Sequence, residues 1–379
     1  MSGLYRKTEV QQDLVDLIHK FMVKEIQPHV LEWEKEGHYP PELIQKGIDM
    51  GLHMMQVPEE YGGLGLDTTT TAMLIEEGAK IESTYLGMFN VTSMGGKVVM
   101  SAGNEEQKQY YAGLLKKGYL SSFCLTEPDA GSDAGAVRTT AVKQGDKYIL
   151  NGTKMFITNA SLASVFLVIA SVDPSKGGRG LATFIVERDR QGVSVGKKIE
   201  KFGMRLSNTA EVVFENVEIP VTNLVGTEET GFMNAMKVLT ASRPIIAASS
   251  LGIAQLARDL AVQYAKDRVA FGRPISHKQM IQEKLANMEM LIEAARGVVY
   301  QSTALLDAGV RCDKEAAIAK CYVTEAVGKV VDDALQIHGG YGLCDEYLIS
   351  KLYRDVRVTR IIEGTNEIQR VIIAKEMLR

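Results

Sequence analysis

The spacing of hydrophobic residues changes twice along this 379-residue chain, and these two changes constrain its fold more than any other feature. Apolar residues recur at helical spacing in residues 1–120, alternate as in short strands in residues 121–230, and return to long helical stretches in residues 231–379. Separate helical and strand regions are typical of the α+β class. We therefore predict an N-terminal helical domain, a middle β-domain and a C-terminal four-helix bundle.

Local signals mark the ends of elements within this frame. Asp67 and Asn104 stand at the N-cap positions of predicted helices, and Gln107 follows Asn104 by three residues, as in a capping box. In the middle region, Gly145-Asp146 and Asn151-Gly152 join strand-like segments, and Asn-Gly is a strong hairpin signal. Many short strands without intervening helices predict an antiparallel β-barrel or sandwich.

Charge and cysteine usage exclude several classes of function. The formal net charge is −4 and no basic run is present, so we expect no nucleic-acid partner. The most apolar run, residues 162–172, is too short to span a bilayer, so we expect no membrane insertion. The four cysteines show no CxxC spacing and the six histidines form no HExxH motif, so we expect neither a disulfide nor a metal site. The polar N-terminus without an apolar signal core predicts a cytoplasmic protein.

One carboxylate near the C-terminus is the strongest candidate for chemistry. Glu363 follows two isoleucines and precedes Gly364, which permits a sharp turn and the close approach of a ligand. Burial beside apolar groups raises a carboxyl pKa, and a carboxylate tuned in this way makes a useful general base. Thr365 or Asn366 is expected to cap a following helix, whose apolar side chains in residues 368–372 form a buried face. The competing interpretation is a glutamate favoured at a helix start by the dipole.

Three further clusters combine glycines with polar or aromatic residues: residues 123–133, 268–272 and 336–342. Such loops let backbone N–H groups reach an anionic or heteroaromatic ligand, and an arginine beside an aromatic ring suits a phosphate and a ring system. Taken singly, each cluster is equally explained as a turn or a helix end. The chain has neither GxGxxG after a strand nor GxxxxGK[ST], which disfavours the usual nicotinamide and ATP enzymes.

The order of these clusters is more specific than any one of them. Five motifs follow one another along the chain: Thr126-Glu127-Pro128 with Gly131-Ser132-Asp133, Asn151-Gly152 with Lys154 and residues 156–158, Arg268 with Phe271-Gly272, Gln336 with Gly339-Gly340, and Glu363-Gly364-Thr365. Together with the loop at residues 58–63, this arrangement resembles the acyl-CoA dehydrogenase family over essentially the whole chain. That family has the helical, β and helical organisation predicted above.

The resemblance implies an enzyme that binds FAD non-covalently and removes two hydrogens from the α and β carbons of an acyl-CoA thioester. Glu363 matches the family base that takes the α-proton, while the β-hydrogen leaves as hydride to flavin N5. In the family, the backbone N–H of this glutamate and a flavin ribityl hydroxyl stabilise the developing enolate charge on the thioester oxygen. Some branches carry the base on another helix, but the equivalent residues 240–242 contain no carboxylate here.

The resemblance also implies a set of binding residues. The FAD contacts implied are Phe123, Leu125, Thr126, Ser132, Phe156, Ile157, Thr158, Arg268, Phe271, Gln279, Gln336, Gly339, Gly340, Thr365 and Glu367. The substrate contacts implied are Ser132, Thr240, Arg243 and Gly364. Phe156 stands where many members carry tryptophan, and Asn366 stands where serine is frequent, so flavin tuning and pocket shape are expected to differ.

The same resemblance implies partners. Residues 336–340 match an FAD segment usually reached from a neighbouring subunit, so we expect a homotetramer or a homodimer, with electron transfer flavoprotein as the electron acceptor. The alternatives are the same site run as an enoyl-CoA reductase, a flavin oxidase or N-hydroxylating monooxygenase on the same fold, and a scaffold without catalysis. Acyl-chain preference depends on pocket volume near residues 84–92 and 239–242, and linear, branched, alicyclic and aromatic acyl groups all stay open.

Overall fold

Helices form the first third of the chain, as predicted, in a computed structural model that describes residues 7–379. They are α1 (Glu9–Glu25), α2 (Val30–Glu36), α3 (Pro41–Asp49), α4 (Thr68–Ala79), α5 (Tyr85–Ala102) and α6 (Glu105–Lys116). The predicted caps are confirmed. The Asp67 carboxylate accepts the Thr70 N–H at 2.6 Å, and Asn104 and Gln107 form the reciprocal capping box that starts α6.

An eight-stranded sheet follows. Its strands are β1 (Leu120–Cys124), β2 (Thr140–Gln144), β3 (Lys147–Thr158), β4 (Ala163–Ser171), β5 (Leu181–Glu187), β6 (Val193–Val195), β7 (Thr209–Pro220) and β8 (Leu224–Val225). They lie in the order β6-β7-β3-β2-β4-β5-β8, with β1 beside β4. Most neighbours are antiparallel, but β1 runs parallel to β4. The sheet is therefore mixed and not wholly antiparallel as predicted, because the long segment between β1 and β4 permits a parallel pairing.

The hairpin predicted at Asn151-Gly152 is wrong. β3 runs through both residues as one strand, and its register with β7 shifts between Leu150 and Gly152. Gly152 has φ +151°, and a side chain there would collide with Thr139, so this glycine serves a close backbone approach inside a strand. The Asn151 side chain accepts the Asn216 N–H at 2.8 Å, which secures the bulge. The other predicted turn, Gly145-Asp146, does join β2 to β3.

The C-terminal part is helical again. It contains α7 (Gly231–Asp267), a small hairpin of β9 (Val269–Ala270) and β10 (Arg273–Pro274), α8 (Gln279–Asp307), α9 (Asp313–His338), α10 (Leu348–Thr359) and α11 (Asn366–Met377). Helices α7 to α10 pack together, and α11 packs on α9 at the edge of this bundle. By length and composition α7 alone among the described helices could cross a membrane, but 67% of its most apolar window is buried inside the fold, so this is weak evidence for a span.

A buried charge network joins the three parts. The ammonium of Lys351, on α10, donates to Asp355 Oδ2 at 2.5 Å and to Glu82 Oε1 at 3.1 Å, between α4 and α5. The other Asp355 oxygen accepts the Met204 N–H at 2.6 Å, from the loop that enters β7. Burial alone would lower the pKa of Lys351, but Asp355, Glu82 and Glu34 raise it above its ordinary value. The lysine is thus firmly charged where the domains meet.

We expect Lys351→Met to destabilise the protein by about 3–5 kcal/mol, because it leaves two buried carboxylates without their cation. The matched control is Lys147→Met, which removes the partner of exposed Glu218 on the sheet and should cost no more than about 1 kcal/mol. Denaturant unfolding followed by circular dichroism measures both. Equal losses in the two variants would show that the network does not hold the domains together.

Candidate active site

Glu363 lies on a strained turn between α10 and α11. Its φ is +57°, in the left-handed region that residues other than glycine rarely adopt, and Gly364 follows with φ +87°. Phe156 and Phe271, two other predicted site residues, also have positive φ, at +58° and +54°. Strain of this kind persists only where the surroundings impose it, and it is frequent at functional sites.

The Glu363 carboxylate is held by α7. Ser242 Oγ lies 2.6 Å from Glu363 Oε2 and 3.0 Å from the Leu239 carbonyl oxygen. A hydroxyl has one proton, so Ser242 can donate to ionised Glu363, or accept from the protonated acid and donate to Leu239. Burial raises the pKa of Glu363, while the Ser242 hydrogen bond and the charges of Arg243 and Lys320 act against that rise. The predicted upward shift in pKa is confirmed.

The predicted cause of that shift needs correction. Ile361, beside Glu363 in sequence, is 54% exposed, so enclosure by α7 and α9, rather than by neighbouring isoleucines, removes water from the carboxylate. The buried face predicted for α11 is also wrong. Val371 is 61% exposed, and the buried residues of α11 are the polar Asn366 and Gln369. Thr365, one of the two predicted caps, does cap the helix by accepting the Ile368 N–H at 3.4 Å.

Polar side chains from α9 and α11 form hydrogen bonds that hold the turn at Glu363 and Gly364. The ammonium of Lys320 donates to the Gly364 carbonyl and to Asn366 Oδ1, both at 2.8 Å. Gln369 Nε2 also donates to the Gly364 carbonyl, at 2.9 Å. Neither the role of Lys320 nor the hydrogen bond from Ser242 is predicted from the sequence. A signal for Lys320 was present, since this lysine occupies an apolar position in the buried stripe of a helix.

Two predicted substrate residues lie on the same helix as Ser242. Arg243 is only 4% exposed, and its guanidinium donates to Thr240 Oγ1 at 3.3 Å. Its buried Nε has no hydrogen-bond partner. Thr240 in turn donates to Asp313 at 3.1 Å. A cation with spare donors therefore stands next to the carboxylate, which suits a site that receives a polar ligand.

The predicted cofactor residues of the β-domain come together at the ends of β1 and β3. The Met155 N–H donates to the Thr126 carbonyl at 2.8 Å, which joins the segment from Phe123 to Thr126 to that from Phe156 to Thr158. Leu125 and Ile157 are buried beneath them, whereas the Phe156 ring is 62% exposed. Within residues 7–379, the hydroxyls of Thr126, Ser132 and Thr158 have no hydrogen-bond partner. This edge offers free hydroxyls beside an exposed ring, which fits a polar heteroaromatic group.

The remaining predicted cofactor residues form a second, exposed group. Phe271, Gln279 and Gln336 line an open cavity of about 820 Å³ between the β9–β10 hairpin, α8 and the end of α9. The Arg268 guanidinium lies 5.7 Å from the centre of the Tyr341 ring. Gly339 and Gly340 are exposed next to Gln336, and Glu367 is exposed in the first turn of α11. Glu363 is not among the residues that line this cavity.

No group of three or more His, Cys, Asp or Glu side chains in residues 7–379 is placed to hold a metal ion.

The arrangement around Glu363 is suited to acid–base chemistry. It combines a desolvated carboxylate, a hydroxyl that can hydrogen-bond to either protonation state of that carboxylate, and two nearby cations.

Comparison with protein families matches three consecutive regions of this chain. Residues 8–118 match the acyl-CoA dehydrogenase N-terminal domain, residues 122–217 the middle domain, and residues 229–378 the C-terminal domain.

Individual relatives match over almost the whole length. An acyl-CoA dehydrogenase of Bacillus subtilis is 45% identical over 373 residues, covering 98% of each chain. A 3-(aryl)acrylate reductase of Clostridium sporogenes is 43% identical, covering 98% of this chain and 99% of the relative. Butyryl-CoA dehydrogenase from Megasphaera elsdenii superposes with a TM-score of 0.96 at 38% identity, covering 99% and 100%. A chain in a structure of the electron transferring flavoprotein of Acidaminococcus fermentans gives 0.96 at 40% identity, covering 99% of each.

We expect Glu363→Gln to stabilise the protein increasingly as pH rises from 5 to 8. Because the folded-state pKa of Glu363 lies above its unfolded value, the unfolded chain ionises first, and the wild type loses stability as pH rises toward the folded pKa. The glutamine side chain does not ionise, so the variant does not lose stability in this way as pH rises. Thermal unfolding of the wild type and the variant over this pH range measures the difference.

The matched control for this pH dependence is Glu25→Gln. Hydrogen bonds and charges from Lys46 and Lys24 lower the pKa of Glu25, so its stabilising effect is present above the unfolded pKa. Between pH 5 and 8 that variant should differ from the wild type by a small and constant amount, because the effect is complete above the unfolded pKa and its lysine partners are exposed. The same pH trend in both variants would contradict the assignment of Glu363 as a desolvated acid.

Proposed function

Because this chain belongs to the acyl-CoA dehydrogenase family, we propose that it interconverts an acyl-CoA and its trans-2-enoyl-CoA, with Glu363 exchanging the α-proton and FAD as the redox cofactor. The observation that carries the proposal is the half-buried Glu363 carboxylate, which is hydrogen-bonded by Ser242 and lies on a turn held by Lys320. An α-proton is weakly acidic, so its removal needs a base shielded from water and stabilisation of the charge that forms.

The turn also offers a donor for the thioester oxygen. The backbone N–H of Glu363 donates to no acceptor within residues 7–379, which leaves it free for a ligand. A carbonyl oxygen that accepts this N–H acquires negative charge as the α-proton leaves, and a fixed donor stabilises that charge without reorganising. The N–H and the carboxylate belong to one residue, so the left-handed conformation of Glu363 orients the base and the donor together.

The edge at β1 and β3 is the part of this chain that would hold the flavin. The hydroxyls of Thr126 and Thr158 would donate to it, the exposed Phe156 ring would cover it, and the Ser132 hydroxyl would lie between cofactor and CoA. When bound, FAD supplies the hydride acceptor or donor for the β-carbon. The protein's tasks are to orient the acyl group, exclude water and move the α-proton.

The exposed group around Arg268, Phe271, Gln279 and Gln336 supports a homo-oligomer. The Phe271 ring is 94% exposed at the tip of a hairpin, which is unusual for an aromatic side chain unless a ligand or another chain covers it. We therefore propose that this cavity binds the adenosine diphosphate half of an FAD whose flavin lies in a neighbouring copy. A homotetramer or a homodimer satisfies this arrangement.

The physiological direction and the partner are the finer parts of the proposal. The Clostridium sporogenes relative is named as a reductase and the Megasphaera elsdenii relative as a dehydrogenase. Glu363 can release a proton to the α-carbon as readily as it accepts one, so either direction fits the same residues. We propose electron transfer flavoprotein as the electron partner, supported by the similarity to a chain in the Acidaminococcus fermentans structure. Short linear and aryl-substituted acyl-CoAs are the first substrates to test.

The decisive experiment is an anaerobic titration of the flavin absorbance with saturated acyl-CoAs, and of the reduced protein with enoyl-CoAs. We expect one acyl-CoA to bleach the flavin band in the wild type, and Glu363→Gln to bind it but lose turnover by about three orders of magnitude or more, since no other base replaces the carboxylate. No response to any thioester, or rapid oxidation of the reduced flavin when dioxygen is admitted after the titration, would favour an oxidase, a monooxygenase or a scaffold.

We expect Arg268→Ala to weaken FAD retention, because a guanidinium suits the cofactor's phosphates. The control is Lys266→Ala, which removes an exposed cation two residues away at the end of α7. Flavin remaining after dilution and desalting measures retention in both. If Arg268→Ala keeps as much flavin as Lys266→Ala, the cavity does not bind the cofactor in this way.

A further inference from the structure

Lys320 is a buried cation without a carboxylate partner. It lies in the first third of α9 with 0% exposure, and within residues 7–379 its ammonium forms no ion pair. Its two acceptors are neutral, the Gly364 carbonyl and Asn366 Oδ1, each at 2.8 Å. Buried lysines are normally paired with an acid, because an unpaired charge is expensive to remove from water. This lysine therefore requires an explanation other than stability.

The contacts of Lys320 all lead to the catalytic turn. Its first acceptor is the carbonyl of the residue next to Glu363, and its second is the first residue of α11. Asn366 is fixed in turn by Thr324 Oγ1, to which it donates at 3.0 Å, and its own N–H donates to the Arg360 carbonyl at 3.1 Å. The lysine thus connects α9 to both ends of the turn that carries the base.

Electrostatics couples the same two residues. Burial lowers the pKa of Lys320 to about 8, and Glu363 is among the charges that act against this lowering. The other titratable and charged groups that face it are Cys321 on α9, Arg243 on α7 and Glu367 on α11. Reciprocally, the charge of Lys320 favours the ionised form of Glu363. The pair acts through charge across the turn and not through a direct hydrogen bond.

We propose that Lys320 is a positioning residue for proton transfer at the α-carbon: it clamps the Gly364 carbonyl so that Glu363 keeps its left-handed conformation, and its charge keeps the carboxylate ionised between turnovers. This inference rests on the proposed function of Glu363. A purely structural lysine would affect folding but would shift neither the ionisation of Glu363 nor the chemical step at constant substrate binding.

The test compares three substitutions in the FAD-loaded protein. Lys320→Met removes both the charge and the donors, Lys320→Gln keeps an amide donor without the charge, and Lys320→Arg keeps the charge. Lys329→Met is the matched control, because Lys329 is an exposed lysine on the same helix paired with Asp333. The acyl-CoA that reduces the wild-type flavin serves as substrate, and kcat and kcat/KM are measured from pH 5 to 9.

We expect the acidic limb of kcat/KM to move up by about one pH unit in Lys320→Met and Lys320→Gln, since a nearby cation no longer favours the carboxylate. We expect kcat to fall about tenfold to a hundredfold in Lys320→Met without weaker binding of the acyl-CoA, because the base is misplaced. In Lys320→Arg the acidic limb of kcat/KM should lie at the same pH as in the wild type. Lys329→Met should match the wild type in both kcat and kcat/KM.

Unfolding provides a readout that does not depend on activity. Glu363→Gln should raise the melting temperature at pH 8 more in the Lys320→Gln background than in the wild type, because the carboxylate there lacks its cation. If Lys320→Met fails to fold, Lys320→Gln and Lys320→Arg decide the matter by the same criteria.

The outcomes separate the two proposals. An active wild type whose acidic limb, kcat and melting behaviour are unchanged in Lys320→Gln would overturn the positioning role and leave the function of Glu363 intact. A wild type that no thioester reduces would overturn both proposals.

Discussion

The arrangement of the three domains depends on one buried ammonium. Lys351 lies among Glu82, Asp355 and Glu34, so its ammonium joins α10 to the N-terminal helices, and Arg354 of the same helix also pairs with Glu34. Asp355 extends the connection to the sheet through the Met204 N–H. Each group alone would destabilise the protein in a dry interface, and only their simultaneous pairing makes burial tolerable. The domains are therefore specified together, because moving one of them leaves buried charges of the helical domains, or the Met204 N–H of the β-domain, without their partners.

This constraint reaches the candidate active site through α10. The network fixes the helix at Lys351 and Asp355, and the helix ends at Thr359, shortly before the turn that carries Glu363. Beyond that point, side chains rather than regular structure hold the backbone: Lys320 from α9 and Gln369 from α11 bind the Gly364 carbonyl. A base that must meet a carbon-bound proton gains from such rigidity, since small misplacements reduce rate strongly. The strained φ of Glu363 is sustained by this surrounding set of bonds.

The sequence predicted what local chemistry decides. The succession of helical, strand and helical regions and the caps at Asp67, Asn104 and Thr365 follow from residues close together in the chain. The direction of the Glu363 pKa shift was also predicted, but distant helices produce it. The predicted hairpin at Asn151-Gly152 is absent from the structure. Gly152 instead allows a close approach to Thr139, the residue before β2, which is distant from the local sequence pattern. The predicted apolar buried face of α11 is absent, because the polar Asn366 and Gln369 occupy the buried positions and make the hydrogen bonds that hold the turn.

The side chains that contact Glu363 and its turn could not be predicted from nearby sequence either, because they lie far away along the chain. Ser242 meets Glu363 across 121 residues of sequence, and Lys320 meets Gly364 across 44. Family resemblance named many candidate residues, yet it did not name Lys320, whose only sequence signal is a charge at an apolar helical position. A charged residue on a predicted buried face, without a predicted partner of opposite charge, therefore indicates a candidate functional site.

Two of the buried lysines, Lys351 and Lys320, are used in opposite ways. Lys351 has carboxylates around it, which raise its pKa, and it serves the fold. Lys320 has neutral acceptors and a distant carboxylate, so burial lowers its pKa. Arg243 Nε and Gln369 Oε1, both buried without partners, lie in the same neighbourhood as Lys320. Some buried polar groups beside Glu363 are thus left without a hydrogen-bond partner. Complete pairing there would stabilise the free protein, but it would leave no donor, cation or basic carboxylate for a thioester to use.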